Sequence, residues 1–291
     1  MKKKILGGLL SAFLLHASAA DWYAPQEPFQ LYGSTYYVGT GGISAVLITS
    51  PAGHILVDVG GPQAADQVAA HIRQLGFRLE DIRYILNSHA HPDHAGAIAA
   101  LQKLSGATVL AGAPAIHALE SGQPDPSDPQ YPGLTPMSPI AKLRAVRDGE
   151  TIRLGALAVT AHATPGHTKG GMSWTWQATE NGRSVNVVFA DSLFGIAAEG
   201  RSFSRNPQYP RARADIERSM ASIDTLPCDV LISAHPEFGG LWERKAKQAT
   251  RGDAAFIDTG ACHSYVAKAR EVLAETLADD AALDKKRAAM P

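Results

Sequence analysis

The hexapeptide from His89 to His94 constrains this chain more than any other segment. It places three histidines and an aspartate just after the run 82–87, which we expect to be a short buried strand. A strand that ends in a polar loop can direct alternate side chains towards one point. Imidazole nitrogen and carboxylate oxygen are ligands that zinc accepts in catalytic sites. The sequence therefore predicts that His89 and His91 face one metal ion, and that Asp93 and His94 face a second.

The first twenty residues have the features of a secretory signal peptide. Three lysines precede an apolar stretch at 5–15, and small residues follow at 17–20. The apolar stretch is too short to span a membrane. We therefore expect residues 1–20 to be removed and the chain to be exported to the periplasm. Residues 21–291 should form a single domain, which we expect to be monomeric.

The charge of the chain restricts its possible partners. The formal net charge is −1 at pH 7, and three of the lysines lie in the predicted signal peptide. A mildly acidic mature chain without a basic run argues against binding to nucleic acid or to anionic membrane surfaces. A small molecule is therefore the expected partner.

The chain contains two cysteines, Cys228 and Cys262. In an exported protein, a single pair is more typical of a disulfide than of two free thiols. Neither cysteine lies in a Cys-x-x-Cys or zinc-ribbon spacing, which argues against a thiolate metal site.

The hydrophobic pattern predicts strands and helices in two similar groups, separated by the proline-rich loop 121–139. The predicted strands are 35–38, 45–49, 54–59, 82–87, 108–110, 158–163, 172–177, 185–190 and 230–233. The predicted helices are 64–74, 95–104, 113–120, 211–225 and 262–277. Two such groups suggest an α/β fold in which two sheets pack face to face with helices outside, an αβ/βα sandwich. The loop could be a binding or lid element, or a plain surface connection.

Two metal ions need more ligands than the hexapeptide offers. His167 and His235 are the strongest further candidates, because each lies in a turn directly after a predicted strand. His162 is five residues before His167 but lies within a predicted strand, and we interpret it as structural. The same interpretation applies to His54, His71, His117 and His263.

Asp191 also stands directly after a predicted strand, in the run 189–194. A carboxylate at that place could bridge two metal ions, orient a ligand histidine through a hydrogen bond, or cap the segment that follows. Of these three roles, we favour the orientation of a ligand histidine.

These motifs together resemble those of the metallo-β-lactamases, and specifically the third subclass of class B. The resemblance covers nearly all of residues 21–291. The His-x-His-x-Asp-His motif alone marks only the superfamily. Its combination with the Trp-Thr-Trp strand at 174–176, the Ala-Asp-Ser-Leu run at 190–193 and the two cysteines is much narrower. The resemblance implies the four-layer αβ/βα sandwich of the metallo-β-lactamase fold.

The resemblance also implies two Zn²⁺ ions and a reaction. The implied ligands are His89, His91 and His167 for the first zinc ion, and Asp93, His94 and His235 for the second. The reaction is zinc-dependent hydrolysis of the β-lactam amide bond in antibiotics, by a hydroxide that the two ions activate. Asp93 would orient this hydroxide and is the implied catalytic residue. Members of the family also carry a disulfide that corresponds to Cys228 and Cys262.

The same resemblance implies a site for the carboxylate of the substrate. Ser192 and the second zinc ion would bind it, with Thr168 or Lys169 as further donors. Several members of the family carry a second serine where this chain has Phe194. If the ring faced the substrate, Phe194→Ser should lower KM; the alternative is that the ring points into the core.

Two other functions remain open. A thioesterase of the glyoxalase type or a lactonase shares the hexapeptide, and many such enzymes carry a metal-bridging aspartate where Asp191 stands. The predicted signal peptide and disulfide argue against these enzymes, since most such thioesters are made in the cytosol. A zinc-binding protein without catalysis would need closed coordination spheres, whereas three ligands per ion leave positions open.

Overall fold

Two β-sheets form the centre of the structure, a computed structural model that describes residues 22–288. The predicted signal peptide at 1–20 lies outside the described residues. Seven strands form the first sheet, in the order β1-β2-β3-β4-β5-β6-β7. They are β1 (Phe29–Tyr32), β2 (Thr35–Tyr37), β3 (Val46–Ile48), β4 (His54–Val57), β5 (Ile82–Leu86), β6 (Thr108–Gly112) and β7 (Leu143–Val146).

The second sheet has five strands in the order β12-β11-β10-β9-β8. They are β8 (Thr151–Leu154), β9 (Leu157–Ala163), β10 (Met172–Glu180), β11 (Arg183–Ala190) and β12 (Val230–Ser233). Side chains alternate along β10: Trp174 and Trp176 are buried between the sheets, whereas Gln177 is exposed. This alternation follows from the two-residue period of a strand. Full burial of one large apolar side chain stabilises the fold by about 1.5–3 kcal/mol.

α-Helices pack against the two sheets. They are α1 (Ala65–Gln74), α2 (Pro92–Ala95), α3 (Ile98–Ser105), α4 (Ile116–Ser121), α5 (Ala212–Thr225), α6 (Leu241–Lys245), α7 (Gln248–Arg251) and α8 (Ala261–Ala288). Apolar residues of α1 and α3 share a core with the first sheet, and those of α5 and α8 share one with the second. A third core lies between the two sheets. The predicted αβ/βα sandwich is confirmed.

The carboxyl ends of the strands place polar residues along one edge of this sandwich. β4 and β5 are parallel neighbours in the first sheet, and β11 and β12 are parallel neighbours in the second. Ligands of layered α/β folds commonly bind at such strand ends. Two backbone hydrogen bonds join the sheets here, from Ser44 N to Ala234 O at 2.9 Å and from Met172 N to Ser88 O at 2.7 Å.

Three strands were missing from the sequence prediction: β1, β7 and β8. β7 follows the proline-rich loop but belongs to the first sheet, so the loop does not separate two halves as expected. Only Val146 of β7 is buried, and therefore no apolar run marks this strand. The terminal helix α8 also continues past the predicted end at Leu277, through a segment rich in charged residues.

The disulfide predicted between Cys228 and Cys262 is confirmed. It connects the residues just before β12 to the first turn of α8, across a sequence separation of 34 residues. Closing a loop of this length restricts the unfolded chain, which stabilises the fold by about 3–4 kcal/mol in the chain-entropy treatment. Across residues 22–288, no helix combines the length and the apolar character needed to cross a bilayer.

Candidate metal centre

The hexapeptide divides between an extended segment and a short helix. His91 has extended backbone dihedrals and immediately precedes α2, whose first residue is Pro92. Proline suits the start of a helix because its fixed φ is already helical and its missing N–H would have no partner there. The turn into α2 separates His89 and His91 from the two ligand candidates on the helix. The sequence order therefore creates two adjacent groups.

The first group consists of His89, His91 and His167. One nitrogen of each ring lies within 4.8 Å of the corresponding nitrogens of the other two rings. The ring centroids are 4.6 Å apart for His89 and His91, and His167 is 4.9 Å from each of them. All three residues are buried. The structure thus brings together the residues that were expected to hold the first ion.

The other nitrogen of each ring makes a hydrogen bond away from the group. The partners are Asp191 Oδ1 for His89 Nδ1 at 2.8 Å, Asp128 Oδ2 for His91 Nε2 at 2.9 Å and Phe194 O for His167 Nδ1 at 2.8 Å. Since a carboxylate or carbonyl oxygen accepts the ring proton, the opposite nitrogen carries the lone pair. His89 Nε2 is buried and has no hydrogen-bond partner among the described residues. Three lone pairs directed at one point fit a metal ion.

The second group consists of Asp93, His94 and His235. His94 Nε2 lies 3.2 Å from Asp93 Oδ2 and 3.2 Å from His235 Nε2, and His235 Nε2 is 3.5 Å from Asp93 Oδ2. His235 Nδ1 donates to Gly42 O at 3.1 Å, which leaves Nε2 for the group. His89 also lies within 4.8 Å of Asp93 and His94, but its single free nitrogen can serve only one ion.

The charges around the second group favour a cation. Burial disfavours a proton on His94, but Asp93 and Asp58 outweigh this effect and raise the His94 pKa to about 10. Burial opposes ionisation of Asp93, yet His94 and His235 hold its pKa well below the usual range. These carboxylates therefore stabilise a positive charge among them. A bound metal ion would supply that charge in place of the proton.

The first group favours neutral rings. Burial, followed by the neighbouring histidines, lowers the pKa of His89 well below its usual value. Burial and His91 together lower the pKa of His167 to about 3. Because a metal binds the neutral form of imidazole, the rings of His89 and His167 are already in the protonation state that ligation requires.

Asp191 is buried behind the first group. Its Oδ1 accepts from His89 Nδ1, and its backbone N–H donates to Ser173 Oγ at 2.9 Å. Burial raises the pKa of Asp191 well above its usual value. No helix follows Asp191 directly, which removes the capping role. The contact with His89 is the one expected of a residue that orients a ligand.

The residues predicted to bind the substrate, Ser192, Thr168 and Lys169, follow Asp191 and His167 in the sequence and differ in their contacts. Ser192 is almost fully buried. Thr168 Oγ1 is buried without a partner among the described residues, and Thr168 lines a cavity of about 20 Å³ together with Asp128. Lys169 Nζ donates to Gln208 O at 3.0 Å. In this structure the ammonium group of Lys169 therefore binds a backbone carbonyl and not the metal groups.

The ring of Phe194 is buried in the core of the second sheet, where it packs against Tyr265, and it also contacts the exposed ring of Phe238. This is the alternative to an orientation towards the substrate. Phe194 therefore contributes to the site through its carbonyl oxygen, which orients His167. Phe194→Ser would remove core packing and would not add a donor facing the substrate.

Three polar residues near the ligands were missed by the sequence analysis: Asp58, Asp128 and Gln130. Asp58 directly follows β4 and accepts from Ser88 N at 2.7 Å. A polar residue at the end of an apolar strand was the available signal for it. Gln130 Nε2 lies 3.3 Å from His167 Nε2. Nothing local in the sequence distinguishes Asp128 or Gln130 from their neighbours in the loop.

The histidines that were interpreted as structural lie outside both groups. His71 Nδ1 contacts Val38 O at 2.9 Å, and His162 Nε2 contacts Thr175 Oγ1 at 2.8 Å. His263 is exposed and contacts Asp224. The partners of these three histidines are ordinary backbone and side-chain groups of the fold.

Several known proteins are similar to this chain in sequence and fold. The family profile described as the metallo-β-lactamase superfamily matches residues 38–180. A curated relative, the hydroxyacylglutathione hydrolase of Pseudomonas paraeruginosa, is 29% identical over 184 residues. That match covers 63% of this chain and only 56% of the relative's length.

Solved structures match over almost their whole length. MEM-A1, a subclass B3 metallo-β-lactamase isolated from a soil metagenome library, is 59% identical with a TM-score of 0.89. That match covers 90% of this chain and 99% of MEM-A1. SMB-1, a metallo-β-lactamase solved with 2-mercaptoethanesulfonate, is 50% identical with a TM-score of 0.87, covering 89% of this chain and 99% of SMB-1. The resemblance stated from the sequence is thus confirmed, and this chain belongs to subclass B3 of the metallo-β-lactamase family.

Proposed function

We propose that this protein is a zinc-dependent β-lactamase that hydrolyses the amide bond of β-lactam antibiotics. The observation that carries the proposal is the pair of adjacent three-residue groups at one edge of the sandwich. The similarity to MEM-A1 and SMB-1, which are named as metallo-β-lactamases, supports the same reaction. The proposed substrate is a small molecule.

We assign two Zn²⁺ ions to the two groups. The proposed ligand atoms are His89 Nε2, His91 Nδ1 and His167 Nε2 for the first ion, and Asp93 Oδ2, His94 Nε2 and His235 Nε2 for the second. Three protein ligands per ion leave coordination positions open, as in catalytic zinc sites. When bound, zinc would lower the pKa of a coordinated water to about 7 and would polarise a carbonyl oxygen.

The residues of the chain orient the reaction. Asp93 is ionised and its side chain is 19% exposed, so it can accept a hydrogen bond from the attacking water and align it. Asp191 fixes the ring of His89, and the carbonyl of Phe194 fixes the ring of His167. Ligands with fixed orientations would hold the ions in place, and the ions would hold the water and the substrate in a reactive geometry. Such positioning lowers the barrier of a reaction.

The carboxylate of the substrate is proposed to bind at Ser192 and Thr168. Both residues follow segments that carry site residues, and Thr168 Oγ1 has no hydrogen-bond partner among the described residues. A hydroxyl without a partner can donate to a carboxylate without first breaking another bond. A hydrogen bond to a charged group contributes about 1.5–3 kcal/mol.

Turnover of a chromogenic cephalosporin by the purified, zinc-loaded protein tests the function. We expect a kcat of about 1–1000 s⁻¹, the common range for enzymes. S-lactoylglutathione serves as the comparison substrate, because curated relatives are hydroxyacylglutathione hydrolases. Efficient thioester hydrolysis with no cephalosporin turnover would favour the alternative function, that of a thioesterase of the glyoxalase type. Zinc binding without turnover of either substrate would favour a zinc-binding protein.

Export to the periplasm is also proposed, on the basis of the lysines, the apolar stretch and the small residues at 1–20. The disulfide between Cys228 and Cys262 agrees with an oxidising compartment. Intact-mass analysis of protein from the periplasmic fraction should show a chain that begins near residue 21. Recovery of the full-length chain from the cytoplasm alone would contradict export.

A further inference from the structure

The turn at 125–130 in the proline-rich loop reaches the first metal group. Within the turn, Asp128 N donates to Asp125 O at 2.9 Å. The turn is also fixed to the segment after β11, through Ala198 N donating to Pro129 O at 2.9 Å. The loop therefore holds Asp128 in a defined place, which a mobile surface connection would not do.

The two carboxylate oxygens of Asp128 have separate partners. Oδ1 accepts from the backbone N–H of Gln130 at 2.8 Å, which shapes the turn. Oδ2 accepts from His91 Nε2 at 2.9 Å, which reaches the metal group. Both Asp128 and His91 are more than nine-tenths buried, so water competes little for these bonds. One side chain thus connects the shape of the loop to the orientation of a ligand.

His91 differs from the other two rings of its group in the nitrogen that it presents. His89 and His167 make their outward contacts through Nδ1, whereas His91 makes its contact through Nε2. A proton on Nδ1 of His91 would therefore occupy the nitrogen that is proposed to bind the first ion. An acceptor at the Nε2 side is required to keep the lone pair on Nδ1.

We propose that Asp128 is a positioning residue of the metal centre, which selects the tautomer of His91 that can bind the first ion. This inference rests on the proposed metal assignment, though not on the identity of the substrate. The carboxylate also makes the ring a stronger donor to a metal. In this role the proline-rich loop is part of the metal centre.

Asp128→Asn tests this role, because an amide offers one oxygen in place of two. If that oxygen keeps the bond to Gln130 N, the amide NH₂ faces His91 Nε2 and drives the ring proton to Nδ1. We expect the affinity for the first zinc equivalent to fall by about 10–100-fold, the usual effect of losing such a partner. Competition with a chromophoric chelator measures the two zinc equivalents separately.

Asp125→Asn is the matched control in the same turn. Asp125 Oδ1 accepts from both Ser127 N and Ser127 Oγ, each at 2.8 Å, and one amide oxygen can do the same. We expect this variant to bind both zinc equivalents as the wild type does. Thermal unfolding of both metal-free variants reports any general damage to the loop.

The tautomer itself can be read without metal or substrate. Nitrogen NMR of the metal-free protein at a pH where His91 is neutral should show the proton on Nε2 in the wild type and on Nδ1 in Asp128→Asn. Unchanged zinc affinity, an unchanged tautomer, or an equal weakening of both zinc equivalents would overturn the proposal. Failure of the wild type to hydrolyse β-lactams would overturn the proposed function and leave this result standing.

Discussion

Removal of zinc is expected to reduce β-lactam hydrolysis to the uncatalysed rate, a loss of about a million-fold or more. The reason is that the proposed protein residues bind, orient and align, while the activation of water belongs to the ions. Adding two equivalents of Zn²⁺ back should restore the activity. The measurement combines exhaustive chelation, elemental analysis for residual metal and turnover of a chromogenic cephalosporin. Full activity in a sample shown to be free of metal would falsify the mechanism.

His235→Ala provides the control for the two-ion assignment. His235 contacts the second group and not the first, since its Nε2 lies beside His94 and Asp93. We therefore expect the variant to keep one tight zinc equivalent and to lose most of its affinity for the other. Two equivalents bound with wild-type affinity would show that His235 is not a ligand.

Asp58→Ala is expected to cost about 3–5 kcal/mol of unfolding free energy, the typical effect of removing one partner from a buried charged network. Asp58 is fully buried and accepts three hydrogen bonds, from Ser88 N, Ser88 Oγ and Asn87 Nδ2. Alanine would leave these donors without a partner, and each buried unpaired donor costs about 1–3 kcal/mol. Asp58 also has a φ of 51°, a left-handed conformation that aspartate tolerates better than alanine. Urea unfolding of the zinc-free protein measures the loss.

Two control variants accompany Asp58→Ala in the measurement of unfolding free energy. Asp58→Asn keeps the size, the tolerance for positive φ and one acceptor, so its cost should be clearly smaller than that of alanine. Asp66→Ala removes an exposed aspartate in the first turn of α1 and should change the free energy of unfolding by no more than about 1 kcal/mol. A loss at Asp58→Ala no larger than at Asp66→Ala would mean that the hydrogen bonds at Asp58 contribute nothing to stability.

The parts of the site that could be predicted are those that local sequence encodes. Apolar residues predominate in β4, β5 and β12, and His89 and His235 each follow one of these strands closely. The layered fold follows from the same alternation of apolar runs and amphipathic segments. Resemblance to a family then separated the proposed ligand histidines from the rest. Spacing along the chain alone had left the role of His162 open.

The parts that could not be predicted depend on contacts between distant segments. Asp128 meets His91 only because the loop folds back over the strand ends. β7 is mostly exposed, and it is a strand because β6 offers it a partner. Neither feature has a local period or a composition that marks it. Such residues are found only once the tertiary structure is known.

The residues proposed to bind the first ion come from both sheets, which links the stability of the protein to the supply of metal. His89 follows a strand of the first sheet and His167 follows a strand of the second. An ion bound by both histidines would oppose separation of the two sheets, as a covalent cross-link does. A ligand present at 1000 times its dissociation constant stabilises the folded state by about 4.1 kcal/mol, and a bound zinc ion would act in the same way. When zinc is scarce, the same chain would open more often at this edge. Metal supply would then set the survival of the enzyme among proteases as well as its rate.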